Sequence, residues 1–132
     1  MSDLADLVQG WLRKGDSDLA AARLVAESSG PYDTACFHAQ QAVEKYLKGV
    51  LINAGLSFPF THNLDELALR CGAANPPPKL SDIDVTILTP YAVQLRYDPE
   101  FWPEQATAQE ALTIATQIRE AVLAALPPAT HP

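Results

Sequence analysis

Basic residues are scarce in this chain. Lysine and arginine number 9 against 16 aspartates and glutamates in 132 residues, giving a formal net charge of −7 and a sequence pI of about 4.7. Proteins that coat nucleic acid are normally basic, so this balance argues against such a role and leaves room only for a local basic pocket. Cysteine is nearly absent. Cys36 and Cys71 both fall at apolar-periodic positions, which reads as two reduced, buried thiols rather than a disulfide framework. The three histidines, His38, His62 and His131, are scattered. No Cys or His pair has the spacing of zinc ligands, so neither a metal nor another cofactor is expected. No run is long and apolar enough to span a bilayer, and the opening MSDLADLV has no basic region ahead of an apolar one; the expected location is the cytoplasm. Sustained two-residue alternation is missing throughout, which removes strands from consideration.

What the sequence does have is helical periodicity. The stretch from Tyr32 to Asn53 carries Ala35, Cys36, Ala39, Ala42, Val43, Tyr46, Leu47, Val50, Leu51 and then Ala54 at spacings of three and four, an apolar stripe at the 3.6-residue period. At 100° per residue, His38, Gln41, Lys45 and Lys48 fall within about 80° of one another on another side. Phe37, Glu44 and Ile52 lie among or beside them. A merely solvated face does not usually carry a Phe and an Ile, so this helix is expected at the centre, one face in the core and the other turned to a second surface.

The remaining helices are placed around it. Residues 3–28 form the first pattern, through Leu4, Leu7, Val8, Trp11, Leu12, Leu19, Ala22 and Val25 or Ala26, with Ser2 or Asp3 as cap and a bend expected near Gly15–Asp18. A third helix opens at Asn63, with Glu66 completing a capping box, and ends at Gly72. Asn75-Pro76-Pro77-Pro78 is a stiff connector. Ser81 with Asp84 signals a fourth helix through Leu80, Ile83, Ile87 and Leu88, which Pro90 kinks or restarts. The last runs from Glu104 to Leu126, starting at Pro103 or at Thr107 with Glu110 as its box. The expected architecture is all-α, an up-and-down bundle of about five helices. One domain is expected over residues 1–126, with a disordered tail over 127–132.

Three groups of side chains carry chemistry. His38, Gln41, Lys45 and Lys48 either line a pocket for a phosphate or nucleotide, or form a hydrated stripe in which Glu44 and Lys48 are an ordinary i,i+4 pair. His62, just before the third helix, either orients an anion at that positive helix end or bonds a neighbouring carbonyl. Arg96, in Arg96-Tyr97-Asp98-Pro99-Glu100-Phe101-Trp102-Pro103, either clamps a phosphate or pairs with Asp98 or Glu100. The aromatics Tyr97, Phe101 and Trp102 read as loop anchors in a core or dimer seam, or as stacking platforms for a base.

These strings resemble the HEPN domain family (higher eukaryotes and prokaryotes nucleotide-binding). The resemblance runs from Asp18 to Ala121. It rests on Asp18-Leu19, on Phe37-His38-Ala39-Gln40-Gln41-Ala42-Val43-Glu44-Lys45-Tyr46-Leu47-Lys48, on Thr61-His62-Asn63-Leu64 and on Arg96-Tyr97-Asp98. It implies a helical bundle that commonly dimerises and is often paired with a small nucleotidyltransferase, as in toxin–antitoxin systems. Many members are metal-independent ribonucleases, or are thought to be, marked by an Arg followed four to six residues later by His. Here no His follows Arg96 within that window, and cleavage through a 2′-hydroxyl wants a proton acceptor near neutral pKa. The expected function is therefore a homodimeric module that binds a nucleotide-like or nucleic-acid ligand, or a nucleotidyltransferase, through His38, Gln41, Lys45, Lys48, His62, Arg96, Tyr97 and Asp98. The alternative is a toxin-like, metal-independent ribonuclease in which Arg96 works with His38 or His62.

Overall fold

The computed structural model describes residues 3–132. Its α-helices are α1 (Leu4–Ala26), α2 (Tyr32–Asn53), α3 (Leu64–Cys71) and α4 (Gln105–Ala125), with short 3-10 turns at Val85–Ile87, Thr89–Tyr91 and Pro128–Thr130. No strand occurs among the described residues. The architecture is an all-α bundle. Helix α2 lies at its centre, packing most extensively against α1, then against α4 and α3.

The apolar stripe of α2 is buried from Ala35 to Leu51; Ala54, at the C-cap, is exposed. The helix ends because Gly55 adopts φ +69°, a left-handed conformation that glycine takes at little cost. The Leu56 N–H then reaches Leu51 O at 2.9 Å and the Gly55 N–H reaches Ile52 O at 3.1 Å, closing off orphan carbonyls.

Helix α1 is capped by Asp3, whose carboxylate accepts from the Asp6 N–H at 2.9 Å; Ser2, the other candidate, lies outside the described residues. The helix runs through Gly15 without interruption. The glycine is there for packing, since a Cβ at Gly15 would lie 2.6 Å from Tyr46 Cε1. The Tyr46 ring is fully buried beneath it and its hydroxyl donates to Asp16 at 2.6 Å. Arg119 of α4 donates to the same carboxylate through Nε at 2.7 Å and Nη2 at 3.1 Å. One carboxylate thus ties α1, α2 and α4 together. Burial opposes its ionisation, but the bonds from Arg119 and Tyr46 outweigh that and hold Asp16 below the usual carboxylate range.

Three expected features take another form. At α3, Asn63 accepts from the Glu66 N–H at 3.0 Å, but the Glu66 carboxylate turns to Arg70 at 3.1 Å. The Asn63 N–H is met instead by Thr61 at 3.0 Å. The fourth helical segment exists only as the two 3-10 turns. Asp84 caps the first by accepting from the Thr86 N–H at 3.0 Å, and Pro90, lacking an N–H, starts the second rather than continuing an α-helix. Helix α4 starts at Gln105 with no side-chain cap, so neither Pro103 nor Thr107 sets its beginning.

Residues 127–132 were expected to fray, and instead they fold back on α1. Thr130 is buried, its hydroxyl donating to Pro127 O at 2.7 Å. The Gln9 amide donates to His131 O at 2.7 Å.

Gly15→Ala would force the Tyr46 ring away from Asp16. We expect it to destabilise the protein by about 1–3 kcal/mol, as overpacking in a close-packed core does. A urea midpoint unchanged from the parent protein would contradict this packing.

Candidate functional site

Two carboxylates organise the polar side of α2. Asp18 comes from α1, two residues beyond the Asp16 clasp, and faces α2. It accepts from His38 Nδ1 at 2.9 Å and also pairs with Lys45. Because a carboxylate only accepts, the His38 proton sits on Nδ1 and Nε2 is left as the acceptor of the neutral ring. Nε2 makes no hydrogen bond among the described residues.

The second carboxylate, Glu44, belongs to α2 itself and is buried. It accepts from Lys48 at 3.0 Å, from Gln40 at 3.2 Å and meets His62 Nδ1 at 2.8 Å. Gln40 is fully buried and donates also to His62 O at 3.3 Å, while Gln41 donates to Gln40 at 2.6 Å. Burial alone would raise the Glu44 pKa; the bonds from His62, Lys48 and Gln40 more than reverse this and hold it low. The expected i,i+4 pair of Glu44 and Lys48 is therefore real but buried, not a hydrated stripe.

A cleft of about 450 Å³ opens at the N-terminal half of α2, lined by Asp33, Thr34, Phe37, His38, Tyr91, Arg96 and Phe101. The turn at Thr89–Tyr91 carries the chain across α2 and delivers Arg96 to the cleft. Phe101 anchors the far side by stacking on Tyr91, ring centroids 5.6 Å apart. The Arg96 guanidinium lies 4.1 Å from the Phe37 ring centroid, close enough for attraction to the ring face. It forms no ion pair among the described residues. Asp98, a proposed partner for it, instead accepts from the Glu100 N–H at 2.9 Å.

Of the side chains picked from sequence, the cleft brings together His38, Arg96 and Phe101. Lys45 and Lys48 lie on the same helix but are neutralised by Asp18 and Glu44. His62 is bound to Glu44 and faces a separate groove with Asn63, Thr89, Pro90 and Val93. Tyr97 and Asp98 are exposed and outside the cleft lining. Asp33 and Thr34 were missed, although they stand one helical turn before Phe37 and His38, on the same face. No cluster of three or more potential metal ligands occurs among the described residues, and no helix of theirs is long and apolar enough to cross a membrane.

The family model of the HEPN domain matches residues 8–125. The crystal structure of an archaeal HEPN homologue is similar to the whole bundle, with a TM-score of 0.66 at 25% identity over 89% of this chain and 95% of that one. No curated protein matches the chain.

The low pKa of Glu44 makes stability depend on pH with a definite sign. A carboxylate held lower in the folded than in the unfolded protein contributes fully above its ordinary value, here 4.5, and loses that contribution as pH falls through the folded value. Urea midpoints taken between about pH 6 and about pH 3 should fall, and fall less steeply in Glu44→Gln, which carries no proton to gain. Equal slopes in the two proteins would show that Glu44 is not so held.

Proposed function

The chain belongs to the HEPN domain family, and from that premise we propose a binding module whose ligand carries a phosphate and enters the cleft at Arg96. The observation that carries this reading is the guanidinium itself. It rests on Phe37, lies at the mouth of a polar-and-aromatic cleft, and forms no ion pair among the described residues, although Asp33 shares the cleft lining. A planar fork of donors in such a place suits a phosphate. The aromatic side chains Phe37, Tyr91 and Phe101 give the cleft apolar walls for a nucleobase, and Asp33 and Thr34 offer polar groups for its edge or for a ribose. The ligand class is a nucleotide or the end of a nucleic-acid strand. The same reading includes a homodimer and, as a protein partner, a small nucleotidyltransferase of the toxin–antitoxin kind; that part rests on family membership.

The electrostatics narrow what binding should look like. Lys45 and Lys48 are each matched by a carboxylate within hydrogen-bonding reach. Arg96 is left as the one cation of the cleft lining. Binding of short single-stranded RNA should then release the equivalent of a single counterion, with a log–log salt slope near about −0.7. Arg96→Ala should weaken binding by about tenfold and flatten that slope. Fluorescence anisotropy with a labelled oligonucleotide at several salt concentrations measures both. A slope and an affinity untouched by Arg96→Ala would remove the cleft from the reading.

One observation favours a second reading, the metal-independent ribonuclease. His38 shares the cleft with Arg96, and Asp18 fixes its ring so that Nε2 is the free acceptor. In that chemistry Nε2 takes the proton of a 2′-hydroxyl, the 2′-oxygen attacks the phosphorus and the 5′-oxygen departs, with Arg96 holding the charge that builds on the phosphate. The binding reading expects purified protein, in excess chelator, to cleave single-stranded RNA no faster than the Arg96→Ala protein. Cleavage that disappears in both Arg96→Ala and His38→Ala would establish the nuclease instead.

A further inference from the structure

Asp33 is at odds with the ligand that Arg96 invites. It lines the same cleft, is partly buried, and makes neither an ion pair nor a side-chain hydrogen bond among the described residues. A carboxylate in that place repels an incoming phosphate. Its position in the helix does not account for it. Asp33 stands in the first turn of α2, where a negative charge gains from the helix dipole. Asp6 of α1 and Asp65 of α3 have the same gain, and both are exposed to water rather than set in a cleft with an arginine.

We propose that Asp33 reads the base of the ligand and selects guanine. This rests on the phosphate reading of Arg96 given above and names the base joined to that phosphate. A carboxylate only accepts hydrogen bonds, so its repulsion of the phosphate is offset only by a ligand that brings donors to it. Asp33 lies one helical turn before Phe37 on the same face of α2, and Phe37, Tyr91 and Phe101 are the aromatic walls of the cleft. The part of a nucleotide that packs on aromatic rings is the base, so a base edge is what meets Asp33. The common bases differ in what that edge shows. Guanine alone sets two donors side by side, N1–H and the N2 amino group, which match the two oxygens of one carboxylate. Adenine and cytosine each set one amino donor beside a ring nitrogen that accepts, and uracil sets its single N3–H between two carbonyls. Each of those three turns a lone pair on Asp33. Thr34, also in the cleft lining and without a side-chain hydrogen bond among the described residues, supplies the donor that guanine O6 accepts from.

Calorimetric titration of the full chain with the four ribonucleoside 5′-monophosphates reads this directly. GMP should bind about tenfold more tightly than AMP, CMP or UMP, the scale of one bidentate contact to a base. Inosine monophosphate, which lacks the N2 amino group, should fall to the level of the other three. Asp33→Asn keeps the shape but sets a donor beside its one acceptor. It should bring GMP down to AMP, leave AMP no weaker, and keep the circular dichroism of the parent. Short single-stranded RNAs that differ only in one guanine or adenine repeat the comparison on a strand, and so separate a free nucleotide from a strand as the source. Binding of every nucleotide untouched by Arg96→Ala overturns the phosphate reading and this one with it. A loss in Arg96→Ala with all four nucleotides bound alike, or a GMP preference that survives Asp33→Asn, overturns guanine readout and leaves the phosphate reading standing. Equal weakening of all four nucleotides by Asp33→Asn, matched by a loss for their 2′-deoxy forms, does the same and assigns Asp33 to the ribose.

Discussion

A helix enclosed by its own chain can keep a charge only by setting it against another charge. That constraint acts on α2. It carries Glu44, Lys45 and Lys48 in succession with Gln40 and Gln41 one turn earlier, yet α1, α3 and α4 all pack on it. Removing a charged group from water is costly unless it is paired and hydrogen-bonded. The chain meets this with two carboxylates, Asp18 on one side and Glu44 on the other, and no buried side-chain nitrogen or oxygen is left without a partner among the described residues. Asp16 does the same for Tyr46 and Arg119. Breaking such a pair by removing one partner typically costs about 3–5 kcal/mol, far more than a surface ion pair contributes. These clusters therefore fix the register between helices, because a slip of one residue would strand a charge.

The same pairing decides where the chain can act on something else. Cations spent on Asp18 and Glu44 have little left for a ligand. The cleft inherits its reactivity from what escapes: Arg96, delivered by a non-helical segment and held in no ion pair among the described residues, and the Nε2 of His38, whose other nitrogen is committed to Asp18. Asp18 joins the two halves of this picture. It neutralises Lys45 and at the same time sets the tautomer that His38 presents to the cleft.

How much of this was readable beforehand follows from how local each cause is. The limits of α2 at Tyr32 and Asn53, its buried stripe, and the Asn63 cap depend on residues within one or two turns, and periodicity and capping chemistry reported them. The fourth segment did not become an α-helix, because Pro90 removes a donor in mid-course and Asp84 finds its partner two residues on, at Thr86, in the tighter turn. The Glu66 half of the capping box failed because Arg70, one turn along, offers a charged partner. The bend anticipated at Gly15 failed because a glycine's reason can lie on another helix. His38 and Arg96 were legible as candidates, and their meeting was not, since Asp18, Phe37 and Tyr91 come from three segments with no sequence spacing to relate them.

The three glycines within α1 and α2 show how the same residue separates interior constraint from surface exposure. Each carries the same entropic cost in its helix. At Gly15 and Gly49 the neighbours Tyr46 and Leu12 use the vacated space, so a Cβ would disturb the core and both positions belong to the fold. At Gly10 no neighbour in the chain claims the space, so the fold gains nothing to offset the cost. Interior packing therefore accounts for two of the three glycines, and at Gly10 the backbone simply lies open at the surface.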